Sequence, residues 1–242
     1  MMTVDTLNQI VCGDARLLTP QLSPHLVDFV LWDPDYGVGI DYGLGKIERD
    51  KALEFVVELL PWLRRACRSG QAVVFWSGSV ERVNAFLSSP IHDIWPIHYM
   101  GIWHKTNNAP ASGDGINRGF ETWFWLKDGP KPRAEWSRIS DVLSDSRILS
   151  TFHESAGHPS QKPVRLCERL VRFFTQPGQI VLDPTAGSGS SLVAARRCGR
   201  QYLGFEINPV YVETCRRRLN RTKPQESFDH ILYTQPNLLE GL

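Results

Sequence analysis

Two short apolar runs that each stop at an Asp-Pro pair constrain this chain more than any other feature. Residues 27–32 end in Asp33-Pro34-Asp35-Tyr36, and residues 179–182 end in Asp183-Pro184-Thr185-Ala186-Gly187-Ser188-Gly189. Brief, continuous apolar runs bounded by turn residues read as strands buried on both faces, the pattern of a parallel sheet. Open sheets of that kind hold ligands in the crevice beyond the carboxyl ends of their strands. The chain must therefore cover both faces of a sheet with helices, and both acidic turns belong to its ligand-binding edge.

The rest of the sequence supports this architecture. Further strands are expected at 10–12, 72–76, 97–103, 122–126 and 202–205, the two central ones rich in aromatic residues. Helices are expected at 51–67, 80–87, 163–174, 190–198 and 209–219. The first of them places Leu53, Val56, Val57, Leu60 and Leu63 on one face, with Pro61 expected to kink or split it. Alternating strands and helices predict an α/β fold with a mostly parallel sheet and a late antiparallel strand. With 242 residues, 42% of them hydrophobic, a single domain is expected. Residues 127–157, with Pro130, Pro132 and little apolar periodicity, read as an irregular insert, and 225–242 as a weakly ordered tail.

Net charge is +1, so bulk charge does not point to nucleic acid. Its distribution is uneven: between His158 and Lys223 stand twelve Lys and Arg residues against four Asp and Glu. That segment reads either as a phosphate-facing surface or as solvated helix faces. The cysteines (Cys12, Cys67, Cys167, Cys198, Cys215) have no short spacing and read as reduced thiols, the last four filling core positions. With no signal peptide or membrane span visible, a cytoplasmic location is expected. The histidines lack metal-ligand spacing, so no metal is expected.

The later turn has a chemistry of its own. Gly187 and Gly189 allow a sharp bend and a close ligand approach, the helix behind them offers its amide end, and Glu206 closes the next strand, where an acid can accept from ribose hydroxyls. A dinucleotide fingerprint wants a third glycine, and Ser190-Ser191-Leu192 stands there instead.

This segment resembles the Asp-Pro-Phe-x-Gly-Ser-Gly-Thr pattern of circularly permuted DNA amino-methyltransferases, with Thr185 in the Phe position. His158-Pro159-Ser160-Gln161-Lys162-Pro163 resembles the family's His-Pro-x-Gln-Lys-Pro, and Asp33-Pro34-Asp35-Tyr36 its Asp-Pro-Pro-Tyr, with Asp35 replacing the second Pro. Weaker likenesses are Gly13-Asp14, the Trp-x-Lys-x-Asn element at Trp103 to Asn107, and the strand from Phe120 to Lys127, where Phe120 stands in a His position. The resemblance implies a Rossmann-like, permuted methyltransferase sheet with S-adenosylmethionine as cofactor, double-stranded DNA as partner, and a possible homodimer. It implies cofactor contacts from Asp14, His158, Gln161, Lys162, Pro163, Asp183, Pro184, Thr185, Gly187, Gly189, Ser190, Glu206 and Ile207. In particular, Lys162 would meet the methionine carboxylate and Asp14 the adenine amine.

The same resemblance makes Asp33, Pro34, Asp35 and Tyr36 the catalytic loop. An exocyclic amine is a weak nucleophile because its lone pair is delocalised into the ring. Hydrogen bonds from that NH₂ to the Asp33 carboxylate and the Pro34 carbonyl favour a tetrahedral nitrogen and stabilise its developing charge. Tyr36 offers a ring for an extruded base. Asp at the head of the tetrad favours adenine N6 over cytosine N4, which stays as the alternative beside a DNA-binding protein of weak activity and a methyltransferase acting on RNA or a small molecule. Lys105, Asn107, Asn108, Asn117, Arg118, Lys131, Arg133 and Arg138 are candidates for contacts to base edges.

Overall fold

The structure, a computed structural model, describes residues 1–35, 49–107 and 117–224. Tyr36, the glycine-rich stretch 37–45, Asn108 and the expected tail lie outside the described residues. The strands are β1 (Gln9–Cys12), β2 (Phe29–Trp32), β3 (Gln71–Ser77), β4 (Ile97–Lys105), β5 (Phe120–Lys127), β6 (Val142–Asp145), β7 (Ile180–Asp183) and β8 (Gln201–Glu206). They form one sheet in the order β1-β8-β7-β2-β3-β5-β4-β6. β5 pairs antiparallel with both β3 and β4, and every other pairing is parallel. This is the mostly parallel sheet with a late antiparallel strand that the alternation implies.

The helices are α1 (Ala15–Leu18), α2 (Arg49–Ala66), α3 (Val80–Leu87), α4 (Ile91–Ile94), α5 (Val164–Phe174), α6 (Ser190–Arg197) and α7 (Pro209–Arg221). Successive strand residues point to opposite faces, and the core divides accordingly. Phe29, Leu31, Val73, Phe75 and Val181 join Leu166, Leu170 and Phe174 of α5, Leu192 of α6 and Cys215 of α7. Val30, Trp32, Ala72, Val74, Trp76 and Leu182 join Val56, Leu60 and Leu63 of α2, Phe86 of α3 and Ile91 of α4. The result is a three-layer sandwich, helices over both faces. No helix among the described residues is long and apolar enough to cross a membrane.

Three features differ from the reading of the sequence. The stretch 127–157 is not wholly irregular, because β6 lies inside it and adds a parallel edge strand to β4, from Ile102↔Val142 to Lys105↔Asp145. Two apolar residues on a half-exposed edge, Val142 and Leu143, give too short a pattern to recognise. The same stretch is anchored by Glu135, whose carboxylate pairs with Arg172 and, at 2.6 Å, with Arg200. Both arginines are buried, so two bases of the basic segment serve the interior. The single-turn helices α1 and α4 are too brief for periodicity to reveal. Pro61 does not split α2, which runs unbroken from Arg49 to Ala66.

Phe86 is fully buried, stacks on Phe124 with ring centroids 4.2 Å apart, and tilts against Trp76 at 5.2 Å. Phe86→Ala should cost about 3–5 kcal/mol of folding free energy. A urea-unfolding midpoint equal to that of the parent would show that this layer does not carry the fold.

Candidate active site

Parallel neighbours end at the same edge, and β2 pairs with β7 in parallel through Phe29↔Val181 and Val30↔Leu182. The two acidic turns therefore emerge side by side. β8 and β1 continue the edge, with Cys12 opposite Glu206. A cleft of about 660 Å³ opens above these four strand ends. It is lined by Asp14, Asp33, Pro34, Asp35, His158, Gln161, Lys162, Asp183, Pro184, Thr185, Gly187, Ser190, Glu206 and Ile207 among others. Gly189 and Pro163 are not among the lining residues; they are the N-caps of α6 and α5.

The glycine bend is held from three sides. Gly187 and Gly189 take φ of 53° and 82°, a region that favours glycine. A Cβ on Gly187 would stand 2.9 Å from His158 Nε2, and one on Gly189 would stand 2.2 Å from Cys215 Sγ. Glu206 reaches under the bend: Oε2 accepts from Gly187 N at 2.9 Å and Oε1 from Asn208 N at 2.7 Å. Arg218 of α7 donates to the Ser188 carbonyl at 2.7 Å and lies 3.2 Å from Ser190 Oγ. Sequence reading missed Arg218, which was one charge in an arginine run.

Asp183 is fully buried. It accepts from Thr185 N at 3.1 Å and from the Ser191 hydroxyl. Burial pushes its carboxyl up to about 7, with Asp33 and Glu206 adding repulsion and the two hydrogen bonds opposing. Thr185 joins the turns directly: its hydroxyl accepts from Trp32 Nε1 at 2.9 Å and lies 3.3 Å from the Asp33 carbonyl.

Asp33 stands at the tip of β2. Oδ2 accepts from Lys162 Nζ at 2.6 Å, whereas Oδ1 is buried and has no hydrogen-bond partner among the described residues. Burial raises this carboxyl to about 6; Lys162 opposes the rise, and Glu121 and Asp35 add to it. His158 packs edge-on against Tyr211 with centroids 4.5 Å apart. Burial, followed by the Lys162 and Arg218 cations, lowers it to about 4, so its ring is neutral near pH 7.

Several residues are engaged differently from their sequence reading. The Lys162 ammonium sits between the carboxylates of Asp33 and Glu121, where the reading gave it to a cofactor carboxylate. The Gln161 amide braces its own loop, accepting from Ala156 N at 2.8 Å and donating to the Glu154 carbonyl at 2.9 Å. Asp14 caps α1 by accepting from Arg16 N at 2.9 Å and pairs with the Arg16 guanidinium at 2.6 Å; that side-chain hydrogen bond is the main reason its carboxyl is lowered. Two candidates for base-edge contact are also committed elsewhere. Lys105 is buried against Glu121, and the Asn107 amide exchanges hydrogen bonds with the Arg147 backbone. Among the described residues, no group of His, Cys, Asp and Glu is arranged to hold a metal ion.

The sequence profile of the N6/N4 DNA methylase family matches residues 27–217. The DNA adenine methyltransferase YhdJ of Escherichia coli (strain K12) is 26% identical over 246 residues, covering 87% of this chain and 82% of that protein. The structure of PvuII DNA methyltransferase, described as cytosine-N4-specific, superposes with a TM-score of 0.73 at 18% identity, covering 86% of this chain and 85% of its own. The structure of an M1.HpyAVI–SAM complex superposes with a TM-score of 0.64 at 23% identity, covering 88% of this chain and 98% of its own.

The raised carboxyls give the cleft a pH signature. The folded Asp183 keeps its proton up to about 7, although the ordinary value of such a carboxyl is 3.8. The unfolded chain thus releases that proton first, and stability is lost as pH rises through about 7. Asp33, raised to about 6, acts in the same sense. Asp183→Asn should flatten the fall in melting temperature between about pH 5 and about pH 8. Parallel melting curves for variant and parent across that range would contradict this assignment.

Proposed function

Because the chain belongs to the N6/N4 DNA methylase family, we propose that this DNA methyltransferase uses S-adenosylmethionine and acts on the N6 amine of adenine. One observation carries the reading: Asp33 Oδ1, buried and without a hydrogen-bond partner among the described residues, lies in the same cleft as the glycine bend that follows β7. A buried acceptor without a partner costs free energy, and a ligand N–H would recover it.

The residues present fit the cofactor. About 660 Å³ is within the ordinary range for a small-molecule site. Gly187 is required by the bend itself, since a Cβ there would crowd His158, which also lines the cleft. The acids lining the cleft (Asp14, Asp33, Asp35, Asp183 and Glu206) outnumber its bases (Arg16, Lys51 and Lys162). A ligand carrying ammonium and sulfonium cations relieves the mutual repulsion of such groups. The M1.HpyAVI structure, a SAM complex, has the same fold. When bound, the cofactor supplies an electrophilic sulfonium methyl. Gly187 and Gly189 would let the backbone approach it closely, and Glu206, held by Gly187 N and Asn208 N, would be the acceptor for its ribose hydroxyls.

The target base must leave the duplex to reach this cleft. Asp33 Oδ1 then accepts one amine hydrogen and the Pro34 carbonyl the other. These bonds favour a tetrahedral nitrogen with its lone pair available. With its carboxyl raised to about 6, Asp33 is basic enough for Oδ1 to receive the proton the nitrogen sheds as it is methylated. The Tyr36 ring is the platform assigned to the extruded base. Adenine is favoured because Asp heads the tetrad and because YhdJ, an adenine methyltransferase, aligns over most of the chain.

The test is transfer of labelled methyl from S-adenosylmethionine to mixed duplex DNA, followed by digestion to nucleosides. N6-methyladenine is expected. N4-methylcytosine would reassign the base, and label entering RNA but not DNA would overturn the reading. Asp33→Ala should keep cofactor affinity and lose transfer by about 10²–10⁴-fold. A fully active variant would remove Asp33 from the chemistry.

A further inference from the structure

Behind Asp33 runs a line of alternating charges drawn from separate elements. Lys162 Nζ, in the segment before α5, lies 2.6 Å from Asp33 Oδ2 and 3.2 Å from Glu121 Oε2. Glu121, near the start of β5, presents Oε1 to Lys105 Nζ at the end of β4, at 2.7 Å. The side chains of Lys162, Lys105 and Glu121 are 5%, 10% and 14% exposed. Trp103 lies beside both ammonium groups, 5.2 Å from Lys105 and 5.7 Å from Lys162, and Phe75 is 5.4 Å from Lys162. Water is largely excluded, so each charge acts strongly on the next.

Stability does not account for this arrangement. Desolvating buried ion pairs costs about as much as their attraction returns, and apolar residues of similar volume commonly do as well. What the line does have is direction. It begins at Lys105 on β4 and ends on a carboxylate in the cleft that keeps a buried oxygen without a partner among the described residues.

We propose that Glu121 and Lys105 are positioning residues for methyl transfer: by sharing Lys162 with Asp33, they set the charge on Asp33 and leave Oδ1 as the oxygen offered to the target amine. The inference rests on the reading of Asp33 as that acceptor. Alone, Lys162 would hold Asp33 as a tight ion pair and a poor base. Glu121 draws part of that charge away, and Lys105 neutralises Glu121 so that it does not capture Lys162 outright. The other groups facing Asp33 are Asp35 on its own loop, Asp183 at the tip of β7 and Cys167 on α5; His158 faces Lys162. None of these belongs to the β4–β5 hairpin, so changes at Lys105 and Glu121 isolate the contribution of the line.

The experiment measures single-turnover methyl transfer to duplex DNA as a function of pH, using the full chain and saturating S-adenosylmethionine. The wild-type rate should fall on the acid side as Asp33 gains a proton. Glu121→Gln should move that limb to lower pH by about one unit, because the carboxylate competing with Asp33 for Lys162 is then gone. Lys105→Met should move it to higher pH, and Lys162→Met higher still. Cofactor affinity by calorimetry should stay the same in the Glu121 and Lys105 variants. Limbs that stay in place, or that move the same way in Glu121→Gln and Lys105→Met, would overturn the proposal, since a purely structural role lowers the rate at every pH alike. If Glu121→Gln does not fold, the Lys105 pair decides: Lys105→Arg must restore the wild-type limb and Lys105→Met must not. Asp33→Asn is run alongside. Wild-type transfer by that variant defeats the reading of Asp33 itself, whereas an inactive Asp33→Asn with unmoved limbs defeats only the present inference.

Discussion

Neighbouring parallel strands must end at the same edge, and the pairing of Phe29 with Val181 therefore decides the chemistry of this molecule. The partners are 152 residues apart in the chain, so nothing local brings them together. Burial does. β2 and β7 are buried at every position, and each sends alternate residues into the two helical layers. A slip of one residue would exchange the two faces of either strand, sending Trp32 into the α5 layer and breaking its bond to Thr185. The register that fills both cores also sets Asp33 beside the loop of Asp183.

That placement gathers carboxylates where water is scarce. Asp33 and Asp183 are both pushed up chiefly by burial, and neighbouring acids add repulsion to each. The fold tolerates this because the acids have local counterparts: Ser191 and Thr185 N for Asp183, backbone amides for Glu206, Lys162 for one oxygen of Asp33. The arrangement leaves unfavourable electrostatics that the proposed cationic cofactor and target N–H would relieve. Such perturbed groups concentrate at sites of chemistry.

The parts of this design that were legible in the sequence are those encoded by adjacent residues. Apolar runs, the Asp-Pro stops, Gly187 with Gly189, and the acid at Glu206 announce strands, turns and a cradle, and each is found at the cleft or beneath it. What could not be read depends on partners distant in the chain. Arg218 is one of three successive arginines, and only the packing of α7 against the bend separates it from Arg217. Glu135 lies in a stretch without periodicity, yet it closes on Arg172 and Arg200 across the α5 face. Lys105 and Asn107 looked like polar residues at a strand end available to DNA, but β5 and the 142–147 segment claim them first. Charge that looks free in a sequence is often spent inside the fold.

The two departures from the family pattern can be weighed in the same terms. Thr185 replaces an aromatic residue, and the change exchanges ring contact for a fastening: one hydroxyl accepts from Trp32 and stands within reach of the Asp33 carbonyl. The glycine bend and the Asp33 turn are thereby joined through a single side chain, so displacement of either is felt by the other. Asp35 replaces a proline and adds a carboxylate whose field raises Asp33 further. The added Asp35 carboxylate makes a cation beside Asp33 more necessary if Asp33 is to stay ionised, as the proposed acceptor role requires. Lys162, held between Asp33 and Glu121, meets that need, which ties the Asp35 departure to the buried line of charge.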